Sequence, residues 1–281
     1  MEASASRTAM LAAVVRGRHR LEEEPPWILD DPFALGLVGP VWETVAEVSD
    51  ARHSAELGRQ LRAGLALRSR FAEDRLEAGG FSQYVLLGAG LDSFVWRRPD
   101  LLADVTVFEV DHPASQAWKR ARMDELGLDA PDRQVFAPVD FETGSLGSGL
   151  DAAGFDRERP ALFSWLGVVP YLTLPAVEAT LRAVAACAPG SEVAVEYGLA
   201  PAYVDEVGRE FTTGFPAVAE QAGEPLHTAW SPADAEEVMA RCGLTVVDHP
   251  DRAELEARYF AGRPDGLRPW SVSGLLVARV P

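Results

Sequence analysis

An open, mainly parallel α/β sheet with helices on both faces is the fold class this sequence predicts, and three observations predict it. From about residue 83 onward, short apolar runs alternate with amphipathic helical stretches, the pattern of strands joined by helical crossovers. The first run, Tyr84 to Leu87, breaks into Gly88-Ala89-Gly90, a turn that lets backbone come close to a ligand. A second run, Val105 to Val110, ends at Asp111, roughly 20 residues after the glycines, where a carboxylate can accept from ribose hydroxyls.

In chain order, residues 1 to 80 read as a helical cap. Thr8–Arg20 and Ser54–Ala78 carry apolar residues at three- and four-residue spacing, and Pro25-Pro26 and Asp31-Pro32 punctuate the link between them. Residues 81 to 281 form the core, and the two parts make one structural unit. Seven strands are expected: Gln83–Leu87, Val105–Val110, Gln134–Ala137, Ala161–Leu166, Glu192–Tyr197, Thr245–Asp248 and Gly274–Ala278. Helices Pro113–Leu126, Leu174–Cys187 and Pro232–Cys242 lie between them. The stretch from about 199 to 230, after strand five, is longer than an ordinary connection and rich in Pro, Gly and aromatics, which reads as a lid over a pocket.

Composition narrows the function classes. With 43 acidic against 26 basic residues the net charge is −17, so phosphate backbones are repelled and nucleic acid is not an expected partner. Cys187 and Cys242 are the only cysteines; far apart and without ligand spacing, they predict neither disulfide nor metal, and a reducing cytoplasm is the expected location. The N-terminus shows neither a signal-peptide pattern nor a membrane span.

The glycine turn is the wrong shape for a dinucleotide. A pyrophosphate site wants a third glycine where the helix starts, but here Ser93 and Phe94 stand, with Val95 and Trp96 following and Asp92 adding negative charge. A phosphate-free cofactor fits better, and S-adenosyl-L-methionine is the leading candidate. The alternatives are an αβ turn in some other open-sheet protein and, more remotely, a nucleotide-dependent oxidoreductase.

Several segments then carry a resemblance. Arg7-Thr8-Ala9-Met10, Asp31-Pro32-Phe33-Ala34, Arg68-Ser69-Arg70-Phe71, the loop Gly88 to Arg97, Phe108 to Pro113, and Val139-Asp140-Phe141 occur in that order. The chain resembles the leucine carboxyl methyltransferase family, and more closely its bacterial branch of S-adenosylmethionine-dependent O-methyltransferases. The resemblance implies a class I methyltransferase Rossmann-like fold. It further implies that Arg68 holds the cofactor carboxylate, for which a guanidinium fork is suited. Gly88, Ala89 and Gly90 would pass backbone along the methionine part, Asp111 would take the ribose hydroxyls with His112 shaping the pocket, and Asp140 and Phe141 would meet the adenine. Other readings stay open, with Arg68 a solvated helix arginine and Asp140 a helix N-cap. The family's fourth strand commonly ends in alanine-glutamate-glycine before a tyrosine; here Leu166 takes the glutamate's place while Tyr171 keeps the tyrosine's. We read this departure as lineage and a changed pocket wall.

Methyl transfer from a sulfonium rests largely on positioning. A carboxylate acceptor needs no base, whereas a hydroxyl benefits from one, usually histidine. His227, in the 199–230 segment, is the candidate base; His19, His53 and His249 lack supporting context. Tyr197 and Tyr203, near the end of strand five, are candidates to orient an acceptor oxygen. Trp165, Tyr171, Tyr203, Phe211, Phe215 and Trp230 would wall an apolar pocket for a small, apolar or aromatic natural-product acceptor. The alternative is a protein of this fold that binds the cofactor without methyl transfer. The expected partner is a small molecule, and a homodimer is left open.

Overall fold

The computed structural model describes residues 6–281. Four helices precede the sheet: α1 (Arg7–Glu22), α2 (Ala34–Val38), α3 (Trp42–Asp50) and α4 (Ala55–Gly79). Ser6 and Ser54 cap α1 and α4, their side chains accepting from the N–H groups of Ala9 and Leu57. The long helix α4 stops at Gly80, whose left-handed φ of 66° suits a residue without Cβ. The short helices α2 and α3 fill what reads in the sequence as a link.

The core then alternates: β1 (Gln83–Leu87), α5 (Phe94–Arg97), β2 (Thr106–Asp111), α6 (Pro113–Leu126), β3 (Gln134–Pro138), α7 (Leu146–Ala152), β4 (Leu162–Trp165), α8 (Leu174–Ala185) and β5 (Glu192–Gly198). After it come α9 (Glu206–Gln221), α10 (Pro232–Arg241), β6 (Thr245–Asp248), α11 (Arg252–Tyr259) and β7 (Ser273–Arg279). Each expected strand is present within a residue or so at either end. One sheet holds all seven in the order β3-β2-β1-β4-β5-β7-β6. The first five pair in parallel, and β7 runs antiparallel to both β5 and β6. Strand order reverses between β1 and β4, the switch point at which open α/β sheets bind ligands.

Alternation along the strands decides which side chains can reach that crevice. On β4, Phe163 and Trp165 face the main core with Val193, Val195 and Tyr197 of β5, under Val177 and Leu181 of α8. On the other face, Ala194 and Val277 pack under Ala63, Leu67 and Phe71 of α4. Thus α4 seals one face of the sheet while α8 covers the other.

The middle of the 199–230 segment, Glu206–Gln221, is the helix α9, which the Pro- and Gly-rich sequence does not lead us to expect. Val207, Phe211, Phe215 and Ala219 fall four apart and give α9 an apolar stripe despite Pro216 inside it. Val207 and Phe211 pack on Leu57, Leu61 and Leu65 of α4. Asp205 caps the helix, accepting from Gly208 N (2.8 Å), and a bridge between Leu199 and Trp230 closes the base of the insertion. Among the described residues no helix is long and apolar enough to cross a membrane.

Candidate functional site

At the carboxyl ends of β1, β2 and β4 lies a cavity of about 360 Å³, roofed by α1, α9 and the turn between α3 and α4. Its floor is the glycine turn. Gly88 and Gly90 adopt φ of 71° and 48°, and a Cβ on Gly88 would lie 2.3 Å from Val168 Cγ2, so only glycine fits there. The N–H groups of Gly88 and Ala89 both donate to the Val110 carbonyl (2.8 and 3.1 Å), and that of Gly90 donates to the Asp111 carboxylate. The turn therefore offers the close backbone approach expected of it but no free donors at these three residues. That arrangement suits a ligand without phosphates, since a phosphate site needs unspent N–H groups.

Asp111 ends β2 with each carboxylate oxygen taking one backbone bond, from Gly90 N and from His112 N (2.6 Å). Each oxygen keeps a second acceptor direction. Burial pushes the Asp111 pKa up, and those two N–H groups offset only part of the rise. His112 caps α6, its Nδ1 accepting from Ala114 N (3.2 Å). Asp140 closes its own turn, accepting from Glu142 N (3.0 Å) and the Thr143 hydroxyl (2.7 Å), and the Thr143 bond foremost holds its pKa below the usual range. Phe141 rests against Trp165, ring centroids 6.4 Å apart.

Arg68 reaches the cavity from α4. Its Nη1 donates to Glu196 on β5 (2.7 Å), whose other oxygen accepts from Ser273 (2.8 Å). Only 13% of the Arg68 side chain is exposed, so it is a fixed cation at the cavity wall and not a solvated helix arginine. Leu166 and Val168 supply apolar wall where β4 ends.

A buried charge network ties the N-terminal helices to the floor. Asp31, 2% exposed, accepts from Arg16 Nε (2.7 Å), the Ser93 hydroxyl (2.6 Å), and the N–H groups of Phe33 and Ala34 (3.0 Å each). Arg16 also donates to the carbonyl of Leu91 (2.7 Å), next to the glycine turn. Above the floor the lining changes character. Leu11, Val15, Leu61, Phe211, Phe215 and Trp270 make an apolar upper half, with the Phe211 and Phe215 rings stacked at 4.4 Å. The Thr8 hydroxyl donates to Glu224 (2.6 Å) and joins α1 to the segment after α9.

Of the residues singled out in the sequence, Arg68, Gly88, Ala89, Gly90, Asp111, His112, Asp140, Phe141, Tyr171, Phe211 and Phe215 line this one cavity. Five others lie elsewhere. Trp165 is fully buried on the core face of β4. Tyr197 has the same orientation on β5, with its hydroxyl 2.8 Å from His249 Nε2, so it is not placed to orient an acceptor. Trp230 stacks on Tyr197 in the core, centroids 6.0 Å apart. Tyr203 is 54% exposed, and His227 is exposed on an extended stretch whose N–H donates to Pro170 O (2.7 Å). The histidine that enters the upper half is His53, which sequence reasoning passed over. Its only local signal is its place just before the Ser54 cap of α4.

The model of the leucine carboxyl methyltransferase family matches residues 9–185. "Putative S-adenosyl-L-methionine-dependent methyltransferase YktD" of Bacillus subtilis is 31% identical over 190 residues, covering 67% of this chain and 62% of that protein. The match thus spans under two thirds of that relative's length. A Mycolicibacterium gilvum protein described as an S-adenosyl-L-methionine-dependent methyltransferase, in the same qualified terms, is 32% identical over 291 residues, covering 93% and 90%. Among solved structures, a DUF574 family protein from Streptomyces avermitilis shares the fold, with TM-score 0.64 at 18% identity over 99% of this chain and 98% of that one.

Proposed function

The chain belongs to the leucine carboxyl methyltransferase family, whose cofactor is S-adenosyl-L-methionine, and from that premise we propose that it is an O-methyltransferase acting on the carboxylate or hydroxyl of a small, apolar or aromatic acceptor. The observation that carries the reading is one cavity with two chemically distinct halves, a polar floor at the sheet's switch point and an apolar chamber above it. On the floor, Arg68 would hold the cofactor carboxylate through its unspent N–H groups. The Asp111 carboxylate would accept from the ribose hydroxyls, and Asp140 and Phe141 would meet the adenine edge and face. The cofactor supplies an electrophilic methyl group on a cationic sulfonium. Asp92, Asp111, Asp140, Glu142 and Glu224 outnumber Arg16 and Arg68 in the lining, a field that favours a cationic ligand over its neutral demethylated product.

The apolar chamber would hold the acceptor in place and keep water from the reacting oxygen, which is most of what this displacement asks of a protein. Helix α9, joined to the α4 cap through Glu210 and Ser54 and followed by a segment held to α1 through Glu224 and Thr8, would act as the lid. The test is transfer of labelled methyl from S-adenosylmethionine to a panel of small aromatic acids and phenols by the purified chain. Label in at least one product supports the reading; cofactor binding with no label in any of them contradicts it.

A further inference from the structure

We infer that the acceptor presents a neutral hydroxyl, phenolic or enolic, rather than a carboxylate, and that His53 Nε2 takes its proton. The inference rests on the methyltransferase reading above and narrows it. His53 lies in the turn between α3 and α4 and, among the described residues, is the only histidine lining the apolar half of the cavity. Its Nδ1 lies 3.3 Å from the Ser49 hydroxyl, and its ring faces that of Phe211 at 6.2 Å between centroids. With Nδ1–H donating to Ser49, the lone pair resides on Nε2, which makes no hydrogen bond among the described residues. The contact with Ser49 holds the ring, and in this tautomer Nε2 is free to accept, as a proton acceptor must be.

Loss of water around the ring favours its neutral form. Burial lowers the His53 pKa first and Arg52 adds to the effect, against Glu210 from α9 and Asp50 from α3, which pull the other way. His53 also immediately precedes the N-cap of a 25-residue helix, whose positive end disfavours imidazolium and favours oxyanion character on an acceptor nearby. An anionic acceptor meets the opposite situation. The lining carries five carboxylates against two guanidiniums, each of the latter already bridged to an acid, Arg16 to Asp31 and Arg68 to Glu196. A carboxylate entering the apolar half would lose water without gaining a free cation. In the proton transfer, the acceptor O–H bond breaks as a new H–Nε2 bond forms; the oxygen keeps the electron pair, and the imidazolium later returns its proton to solvent.

The test uses the full chain saturated with S-adenosylhomocysteine, whose own binding is measured first; if that fails, the cofactor reading falls before the acceptor is addressed. Hydroxybiphenyl and biphenylcarboxylic acid are then titrated as a matched pair by fluorescence. The acid is expected to bind about tenfold or more weaker than the phenol, and the His53 imidazole resonances, assigned with H53Q, are expected to move when the phenol binds. In labelled-methyl assays H53Q is expected to lose about a hundredfold or more toward hydroxybiphenyl. Toward a nitrophenol already ionised at the assay pH it should lose little, because no proton remains to be taken. A purely structural role for His53 would slow both equally. Equal losses, equal or tighter binding of the acid, absent phenol binding, or unmoved imidazole signals would each overturn the inference.

Discussion

Asp31→Asn is the substitution whose consequence the structure specifies most fully. The carboxylate sits 2.7 Å from Arg16 and 3.7 Å from Arg97, and the exposures of these three side chains are 0%, 8% and 3%. Arg97 retains Glu73 at 2.6 Å, but Arg16 would keep only the Leu91 carbonyl. Leaving a buried charge unpaired costs about 3–5 kcal/mol, while an amide oxygen can still cap α2 at Phe33 and Ala34 and so spare the further 0.5–2 kcal/mol, roughly, of a lost cap. Urea denaturation should therefore show a loss of about 3–5 kcal/mol, and Arg16→Met added to Asp31→Asn should recover about 1 kcal/mol or more by removing the stranded guanidinium. The pH dependence has a defined sign. Burial raises the Asp31 pKa, but Arg16, Arg97 and Ser93 outweigh it and hold the folded-state value below the ordinary one. The stabilisation is thus present above the unfolded-state pKa and is lost as pH falls through the depressed folded value; the variant should lack that acid-sensitive part. A loss under about 1 kcal/mol, or no recovery in the double variant, would refute the reasoning.

Other outcomes follow from the floor of the cavity. Asp111→Ala should weaken S-adenosylhomocysteine binding by about 1–3 kcal/mol, because ribose hydroxyls lose a partly buried acceptor; calorimetry on the folded variant checks it. Since burial raises the Asp111 pKa and the charged form is the better acceptor, cofactor affinity should fall on acidification from a pH above the ordinary carboxylate range, and a flat profile would exclude this role. Arg68→Ala should weaken S-adenosylhomocysteine binding more than adenosine binding, and should also lower thermal stability by stranding Glu196, whose side chain is 3% exposed; equal losses for both ligands would mean that Arg68 acts through the fold alone. Gly88→Ala should abolish cofactor binding, because the new Cβ collides with Val168 at a φ that side chains avoid; unchanged calorimetry would contradict this.

The sheet and the floor were legible because local patterns specify them. An apolar run ending in Gly88-Ala89-Gly90, and another ending in Asp111, mark two neighbouring parallel strands without any tertiary information. Strand parity is legible as well: Trp165 shares its phase with Phe163, and Tyr197 with Val193 and Val195, so both point into the core while Ser164 and Glu196 face the other way. Helix α9 hid behind Gly208, Gly214 and Pro216, poor helix formers that its apolar stripe and its packing on α4 override. What no local pattern carries is the roof. Arg16 meets Asp31 and Leu91, and His53 meets Phe211, only once α1 and α4 have docked on the sheet. The N–H groups of the glycine turn are spent on Val110 and Asp111, a fact set by how β1 and β2 pair.

The central claim is that this cavity is built for a phosphate-free adenosine cofactor, and calorimetric titration of the purified chain with S-adenosylmethionine, S-adenosylhomocysteine and NAD tests it most directly. The account predicts saturable binding of the first two with affinities on the order of micromolar and no measurable heat from NAD, whose pyrophosphate would find no unspent N–H groups at the glycine turn. Binding of NAD with neither of the other two would contradict it.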